Sequence, residues 1–280
     1  MSAEPSLLRA LPAPADRGFG WPWSEETDAA LLANPPPGGW PKISIVCPSF
    51  RQGRFIEETI RSVLLQNYPA TEFIVMDGGS DDGTVPLLEK YAPWLAHWES
   101  QPDGGQSQAL NRGFARATGE IFGWINSDDY YLPGAFAAVA RAFRASRRPL
   151  LFGDWCERDG EAPALVARHE HPAFAFQVRV GGRTLPSHAT FWPRAAHLPV
   201  NETLRFTMDA DLFKRLAASG LRPRHIAQPL AVFRRHAEAK SSTIVATAVE
   251  ETAAWGKTQP RSTHWWWRLS RLIDRVVFRT

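Results

Sequence analysis

Cysteine is scarce in this chain of 280 residues: Cys47 and Cys156 stand far apart and without metal-ligand spacing. That argues against a disulfide framework and a zinc site, and it fits a reducing compartment. Charge of one sign is scarce too. Thirty-two Lys and Arg against 29 Asp and Glu leave a formal net charge of +3, too small an excess for wholesale nucleic-acid binding. No window reaches the roughly eighteen apolar residues that cross a bilayer. The first segment, MSAEPSLLRALPAPADRG, has an early Glu, repeated prolines and no sustained apolar core, and reads poorly as a signal peptide. A cytoplasmic location is therefore expected. GxGxxG and GK[ST] motifs are also lacking, which disfavours a dehydrogenase or a P-loop enzyme.

What is present is a chain with 44% hydrophobic residues, enough for a substantial core, and 12 tryptophans. Residues 1–41 are rich in Pro and Gly and end in NPPPGGWP, which predicts an arm lying on the domain rather than a part of its sheet. KISIVCPS then reads as a strand, and RFIEETIRSVLLQNYP as a helix with Phe55, Ile56, Thr59, Ile60, Val63 and Leu64 on one face. The alternation continues: EFIVMD as a strand, TVPLLEKYAPWL as a helix, SQALNRGFARATG as a helix after a polar loop, IFGWI as a strand, PGAFAAVARAFRAS as a helix and LLFGDW as a strand. Such alternation predicts a mostly parallel sheet covered on both faces, a three-layer α/β/α sandwich, with ligands beyond the carboxyl ends of the strands. Phe50, Asp77, Asn126, Asp128 and Asp129 all fall at those ends.

Each polar cluster has a plain reading and a chemical one. DGGSDDGT at 77–84 makes a tight turn in which Gly78 and Gly79 permit positive φ and Ser80 or Asp81 caps the next helix, or else a ligand loop. QPDGGQSQALNRGFARATGE places Asp103 and Gln106 in a loop and Asn111 on the following helix. NSDD at 126–129 ends a strand as many turns do, yet closely spaced oxygen donors on a rigid turn also suit Mg2+ or Mn2+, usually held by one or two carboxylates plus phosphate oxygens.

PSF at 48–50, the three clusters above with WINSDDYYLP at 124–133, then TFWPRA at 190–195, LRFTMDADLFKRL at 204–216 and FRRHAEAKSS at 233–242, together resemble a family 2 glycosyltransferase. The resemblance covers roughly residues 42–242. It implies the GT-A (Rossmann-like, nucleotide-diphospho-sugar transferase) fold and an inverting hexosyl transfer from a nucleotide diphosphate sugar to a hydroxyl. The acceptor would be a glycan in polysaccharide or cell-surface glycan biosynthesis, and a lipid-linked glycan on the strength of the C-terminal tail alone. By that resemblance NSDD stands at the family's DxD motif, with Asn126 where relatives often have Asp. The metal, Mn2+ or Mg2+, would be held by Asp128 and Asp129 with His236 approaching from the C-terminal side. The nucleotide-sugar site would comprise Pro48, Phe50, Asp77, Asp103, Gln106, Asn111, Asn126 and Ser127, Phe50 stacking on the base and Asp77 accepting from base or ribose. Gly78 replaces a second Asp common in the family. Asp209 falls on the family's catalytic aspartate, the base for the acceptor hydroxyl. Arg234, Arg235 and Lys240 offer phosphate neutralisation, and His188 a place in the acceptor pocket.

The expected organisation is an N-terminal arm (1–41), a transferase domain (42–242) with a donor half (42–155) and an acceptor half (156–242), and a C-terminal tail (243–280). In that tail Trp266, Leu269, Ile273, Val276 and Val277 share one helical side among arginines. Such a helix over 264–279 either packs on the domain or lies in an anionic membrane interface, making the protein peripheral at the inner face of the membrane. Two rivals remain at this stage: a sugar-nucleotide pyrophosphorylase, of whose Gly-rich basic loop PSFRQGRF is a faint version, and a non-catalytic nucleotide- or sugar-binding module.

Overall fold

The computed structural model of the chain describes residues 6–14, 18–160, 166–168 and 185–257. Its centre is β1 (Ile43–Ser49), buried along its whole length. β1 pairs in parallel with β2 (Thr71–Asp77) on one side and with β4 (Ile121–Trp124) on the other, and β2 pairs in parallel with β3 (His97–Ser100). Side chains alternate across this sheet as the period of two requires. Ile43, Ile45, Cys47, Phe73, Val75, Ile121 and Ile125 enter one core, and Val46, Ile74, Met76, Phe122 and Trp124 enter a second on the opposite face. Each such large apolar side chain contributes about 1.5–3 kcal/mol on burial.

The first core is covered by α2 (Ile56–Leu64) and α5 (Ala135–Arg144), the second by α4 (Gln106–Arg116) and α6 (Met208–Ala218). α3 (Thr84–Tyr91) adds Leu88 and Tyr91 to the first core. The α4 helix lies so close to the sheet that a Cβ on Gly113 would come within 2.4 Å of Val46 Cγ1. The three layers are those expected from the alternating pattern.

The sheet continues in a way the sequence pattern does not announce. β8 (Thr190–Pro193) runs antiparallel between β4 and β6 (Pro149–Asp159), β6 pairs in parallel with β9 (Arg222–Arg235), and β5 (Tyr130–Tyr131) closes the edge antiparallel to β9; the short β7 (Val166–Arg168) pairs with β6. LLFGDW is thus the middle of an eleven-residue strand, and the loop before QPDGG contains a strand of its own, β3.

The described parts of the N-terminal segment form no strand and lie against α2. Arg61, 1% exposed, donates to the carbonyls of Pro22 at 3.0 Å, Pro12 at 3.1 Å and Trp23 at 3.0 Å, and to Tyr91 Oη at 3.1 Å. A buried guanidinium is tolerable only with its donors satisfied, and here the arm supplies most of the acceptors. The C-terminal side ends in the one-turn α7 (Lys240–Thr243) and in α8 (Val245–Lys257). Among the described residues no helix is long and apolar enough to cross a membrane. The expected helix over 264–279 lies outside the described residues.

Candidate active site

The carboxyl ends of β1, β2 and β4 point to one place. Burial first, and then the charges of Asp128, Asp129 and Asp77, push the Cys47 thiol at the end of β1 well above its ordinary range, which places three carboxylates around that point.

The turn Asn126–Asp129 leaves β4 and enters β5. Because Tyr130 pairs with Val232 and Tyr131 with Ala231, the end of β9 is carried directly onto this turn. Arg234 N–H donates to Asp129 Oδ1 at 3.0 Å, and Arg234 Nε to the Asp128 carbonyl at 3.0 Å. Its guanidinium also donates to Gly160 O at 2.8 Å and to the Glu58 carboxylate. His236 Nε2 then reaches Asp128 Oδ2 at 3.0 Å, while His236 Nδ1 is buried without a hydrogen-bond partner. The imidazole is packed against Phe55, ring centroids 4.6 Å apart.

The two adjacent carboxylates differ in kind. Asp128 is partly open, its side chain 17% exposed. Asp129 is fully buried and accepts from Arg234 N–H and from Asn126 Nδ2 at 3.2 Å. Burial and then the Asp128 charge raise its pKa well above the usual carboxylate range. The expectation that Asp129 joins Asp128 as an open ligand needs correcting: its oxygens hold the turn and the end of β9, and His236 is the side chain that meets Asp128. Among the described residues no three His, Cys, Asp or Glu side chains cluster tightly enough to hold a metal by themselves. Asp128 offers one carboxylate to a hard divalent cation completed by phosphate oxygens, as is usual for Mg2+ and Mn2+, with the His236 imidazole beside it.

A chain of hydrogen bonds crosses the site. Lys240 Nζ donates to Gln106 Oε1 at 2.5 Å, Gln106 Nε2 donates to Asn126 Oδ1 at 2.7 Å, and Asn126 donates to Asp129. Lys240 also faces Asp209, on the first turn of α6. Asp209 is half-buried, and its Oδ1 accepts from Ala210 N–H at 2.6 Å. Burial pushes its pKa up to about 6, against the opposing pull of backbone hydrogen bonds and of Lys240. Burial lowers Lys240 to about 8, against the pull of Asp209 and Glu251. Arg234, 1% exposed, is committed to the turn, and Arg235 pairs with Asp159 at 2.8 Å. Of the three expected phosphate cations, Lys240 is the one that faces the site.

The nucleotide-side residues divide likewise. Phe50 is 55% exposed and open for stacking, with Arg51 over its ring at 5.3 Å. Asp103 lies close by: a Cβ on Gly78 would sit 3.2 Å from the Phe50 ring and 3.4 Å from the Asp103 carboxylate. Asp77, expected to accept from base or ribose, is 2% exposed and already accepts from Gly79 N–H, Ser80 N–H, Ser80 Oγ and Ser100 Oγ. Its two oxygens are used to shape the loop. Gly79 does take positive φ (83°), but the acid at the start of α3 is Asp82, whose Oδ1 accepts from Thr84, not Ser80 or Asp81. Pro48 and Ser127 are buried within the framework. Asn111 is also structural: it donates to Val200 O and Glu202 Oε1 and accepts from Val200 N–H, stapling α4 to that loop. His188 is 7% exposed, stacked on Phe233 at 5.7 Å, and lowered by burial to about 3. An open cavity of about 460 Å³ beyond His236 is lined by Asp159, Phe233, Arg235, Ala237 and Ser242.

Glu251, on α8, carried no motif in the sequence, yet it touches the segment that presents Asp209.

Known proteins share part of this sequence and its fold. Residues 44–197 match the model of the family described as Glycosyl transferase family 2. The chain is 38% identical over 92 residues to an uncharacterized glycosyltransferase of Mycobacterium tuberculosis, covering 32% of this chain and 35% of that protein. It is 32% identical over 108 residues to an uncharacterized glycosyltransferase of Nostoc sp., covering 38% and 34%. The chain thus spans about a third of the length of these curated relatives. Among solved structures, S. aureus TarS in complex with UDP-GlcNAc superposes with a TM-score of 0.59 at 18% identity, covering 72% of this chain and 61% of that one. The mannosyltransferase PcManGT from Pyrobaculum calidifontis, in complex with GDP-Man and Mn2+, gives 0.53 at 20% identity, covering 76% and 63%. At such identities the likeness shows the shared GT-A fold. With the family's match running from β1 past β8, over more than half of the residues, this chain belongs to glycosyl transferase family 2.

Proposed function

We propose that the protein is a metal-dependent, inverting glycosyltransferase that moves one sugar from a nucleoside diphosphate sugar to a hydroxyl acceptor. The observation that carries this reading is the Lys240–Gln106–Asn126 chain, which joins the NSDD turn to the neighbourhood of Asp209 and so supports a shared site. UDP-GlcNAc and GDP-Man, held by the two solved structures above, are donors of the class intended.

In this reading the exposed Phe50 ring stacks on the base with Asp103 at its edge. Asp128 and His236 would hold a divalent cation, and that cation would supply positive charge for the leaving nucleoside diphosphate. Lys240 adds a fixed cation at the same end. Asp209, unprotonated above about pH 6, takes the proton from the acceptor hydroxyl as its oxygen attacks the anomeric carbon. One displacement from the face opposite the leaving group inverts that carbon. Residues 42–155 supply the donor side and 156–242 the acceptor side, the latter opening toward the cavity beside His236. A glycan or lipid-linked glycan acceptor, a cytoplasmic location and a membrane-surface role for residues 264–279 complete the reading.

The test is release of nucleoside diphosphate from a panel of nucleotide sugars, compared between the native chain and Asp209→Asn. Loss of a positioned base is worth about 10²–10⁴-fold in rate, with nucleotide affinity unchanged. Turnover at the native rate in Asp209→Asn refutes the assignment of the base.

A further inference from the structure

The helix that carries Asp209 is entered through a segment whose amides are held from outside the helix. Thr207, at the N-cap of α6, makes no capping hydrogen bond with its side chain, and the amides leading into the helix need acceptors from elsewhere. A glutamate about forty residues further along the chain provides them. Glu251 Oε1 accepts from Arg205 N–H at 2.7 Å, and Glu251 Oε2 accepts from Phe206 N–H at 2.9 Å, Thr207 N–H at 2.8 Å and Thr207 Oγ1 at 3.1 Å. Burial acts to raise the Glu251 pKa, but these hydrogen bonds outweigh it and hold the carboxyl below its ordinary range. A carboxylate on the positive end of a helix, with both oxygens filled by charge-assisted bonds, is a strong and directional contact.

The other side of the same segment is fastened as well, because Ser107 Oγ donates to Leu204 O at 2.9 Å. Ser107 adjoins Gln106, the residue that bonds Lys240 and Asn126. The other acid of the first turn, Asp211, is engaged with Arg215 at 2.7 Å, so Asp209 is the one left facing Lys240. Glu251 lies beyond residues 44–197, the stretch that matches the family.

We propose that Glu251 is a positioning residue for Asp209: the carboxylate of α8 locks the backbone of residues 205–207 and thereby holds the Asp209 carboxyl half-buried in the site wall, facing Lys240. The C-terminal helix is on this account a working part of the active site. The importance of the position rests on the reading of Asp209 as the base, whereas the hold itself is measurable without any acceptor.

The experiment follows the Asp209 carboxyl by carbon-13 NMR titration in the full chain, with melting temperature and nucleotide affinity recorded alongside. The groups facing Asp209 and its partner Lys240 are the Ala210 amide, Gln106, Arg205 and Glu251. In native protein the midpoint lies near the raised value of about 6. In Glu251→Ala, release of the segment admits water, and the midpoint falls toward the ordinary aspartate value of about 4. Glu251→Gln keeps one acceptor oxygen and gives a smaller fall; it decides the matter if the alanine variant does not fold. Lys240→Met, as a control, moves the midpoint upward because the ammonium acts to lower it. A folded Glu251 variant that titrates Asp209 at the native midpoint, even with faster amide exchange at residues 205–207, overturns the proposal and leaves Glu251 a local cap. Should Asp209→Asn keep native turnover, the base assignment falls, and the NMR result still reports separately on Glu251.

Discussion

Arg234→Met tests how the NSDD turn is built. The guanidinium is 1% exposed and serves the Glu58 carboxylate, Gly160 O and Asp128 O together. Removing one partner of a buried ion pair costs about 3–5 kcal/mol because the remaining charge is stranded. The lower end applies here: Glu58 keeps Arg158 at 3.2 Å, and Asp129 keeps the backbone N–H of residue 234, which the substitution does not touch. The expected loss is about 3 kcal/mol, or a fall in Tm of roughly 6–9 °C at about 2–3 °C per kcal/mol, read by urea and thermal denaturation. Methionine fills the stem of the lost side chain, so the cost measures the polar contacts. The double variant Glu58→Gln with Arg234→Met recovers part of the loss, since the buried Glu58 charge is gone and Arg158, which loses it as a partner, is partly exposed to water. A single variant within about 1 kcal/mol of native, or a double variant no better than the single, would show that the Arg234–Glu58 pair does not hold the turn.

Other consequences can be checked with single variants. The rate of transfer rises with pH as Asp209 loses its proton near 6 and falls as Lys240 loses its proton near 8; Lys240→Met removes the alkaline fall, which a pH–rate profile shows. Asn111→Ala lowers stability by about 1–3 kcal/mol through the lost staple to Val200 and Glu202, while calorimetric nucleotide affinity stays at the native value. Gly113→Ala, with its Cβ driven to 2.4 Å from Val46, costs about 1–3 kcal/mol by overpacking in urea denaturation.

The parallel half of the fold was legible because its strands are short apolar runs and its helices show one apolar face, from KISIVCPS to PGAFAAVARAFRAS. β9 was not, and the reason is chemical. Arg222–Arg235 contains Pro223 and Pro229, residues that argue against a strand interior, yet the pairing with β6 absorbs Pro229 where the register shifts at Asp154. The placement of His236 beside Asp128 depends on that strand and on its pairing with the two-residue β5, which no local pattern specifies. Residue types could be read at the site, but not which oxygens were already taken. Asp77 and Asp129 look like Asp128 in sequence, and only the fold shows that the first two spend their acceptors on loop amides, on serine hydroxyls and on Arg234. Glu251 left no signal because its partners are three backbone amides, which carry no residue identity, and one threonine hydroxyl distant in the chain.

The proposed function requires WINSDDYYLP to form a nucleotide-diphosphate site that works with a metal. Its most direct test is calorimetric titration with UDP, GDP, dTDP and CDP, each with and without Mn2+, on the native chain and on Asp128→Ala. One nucleotide is expected to bind in a Mn2+-dependent way, and Asp128→Ala is expected to lose this binding while staying folded. Binding of none of the four, or binding indifferent both to Mn2+ and to Asp128, would contradict it.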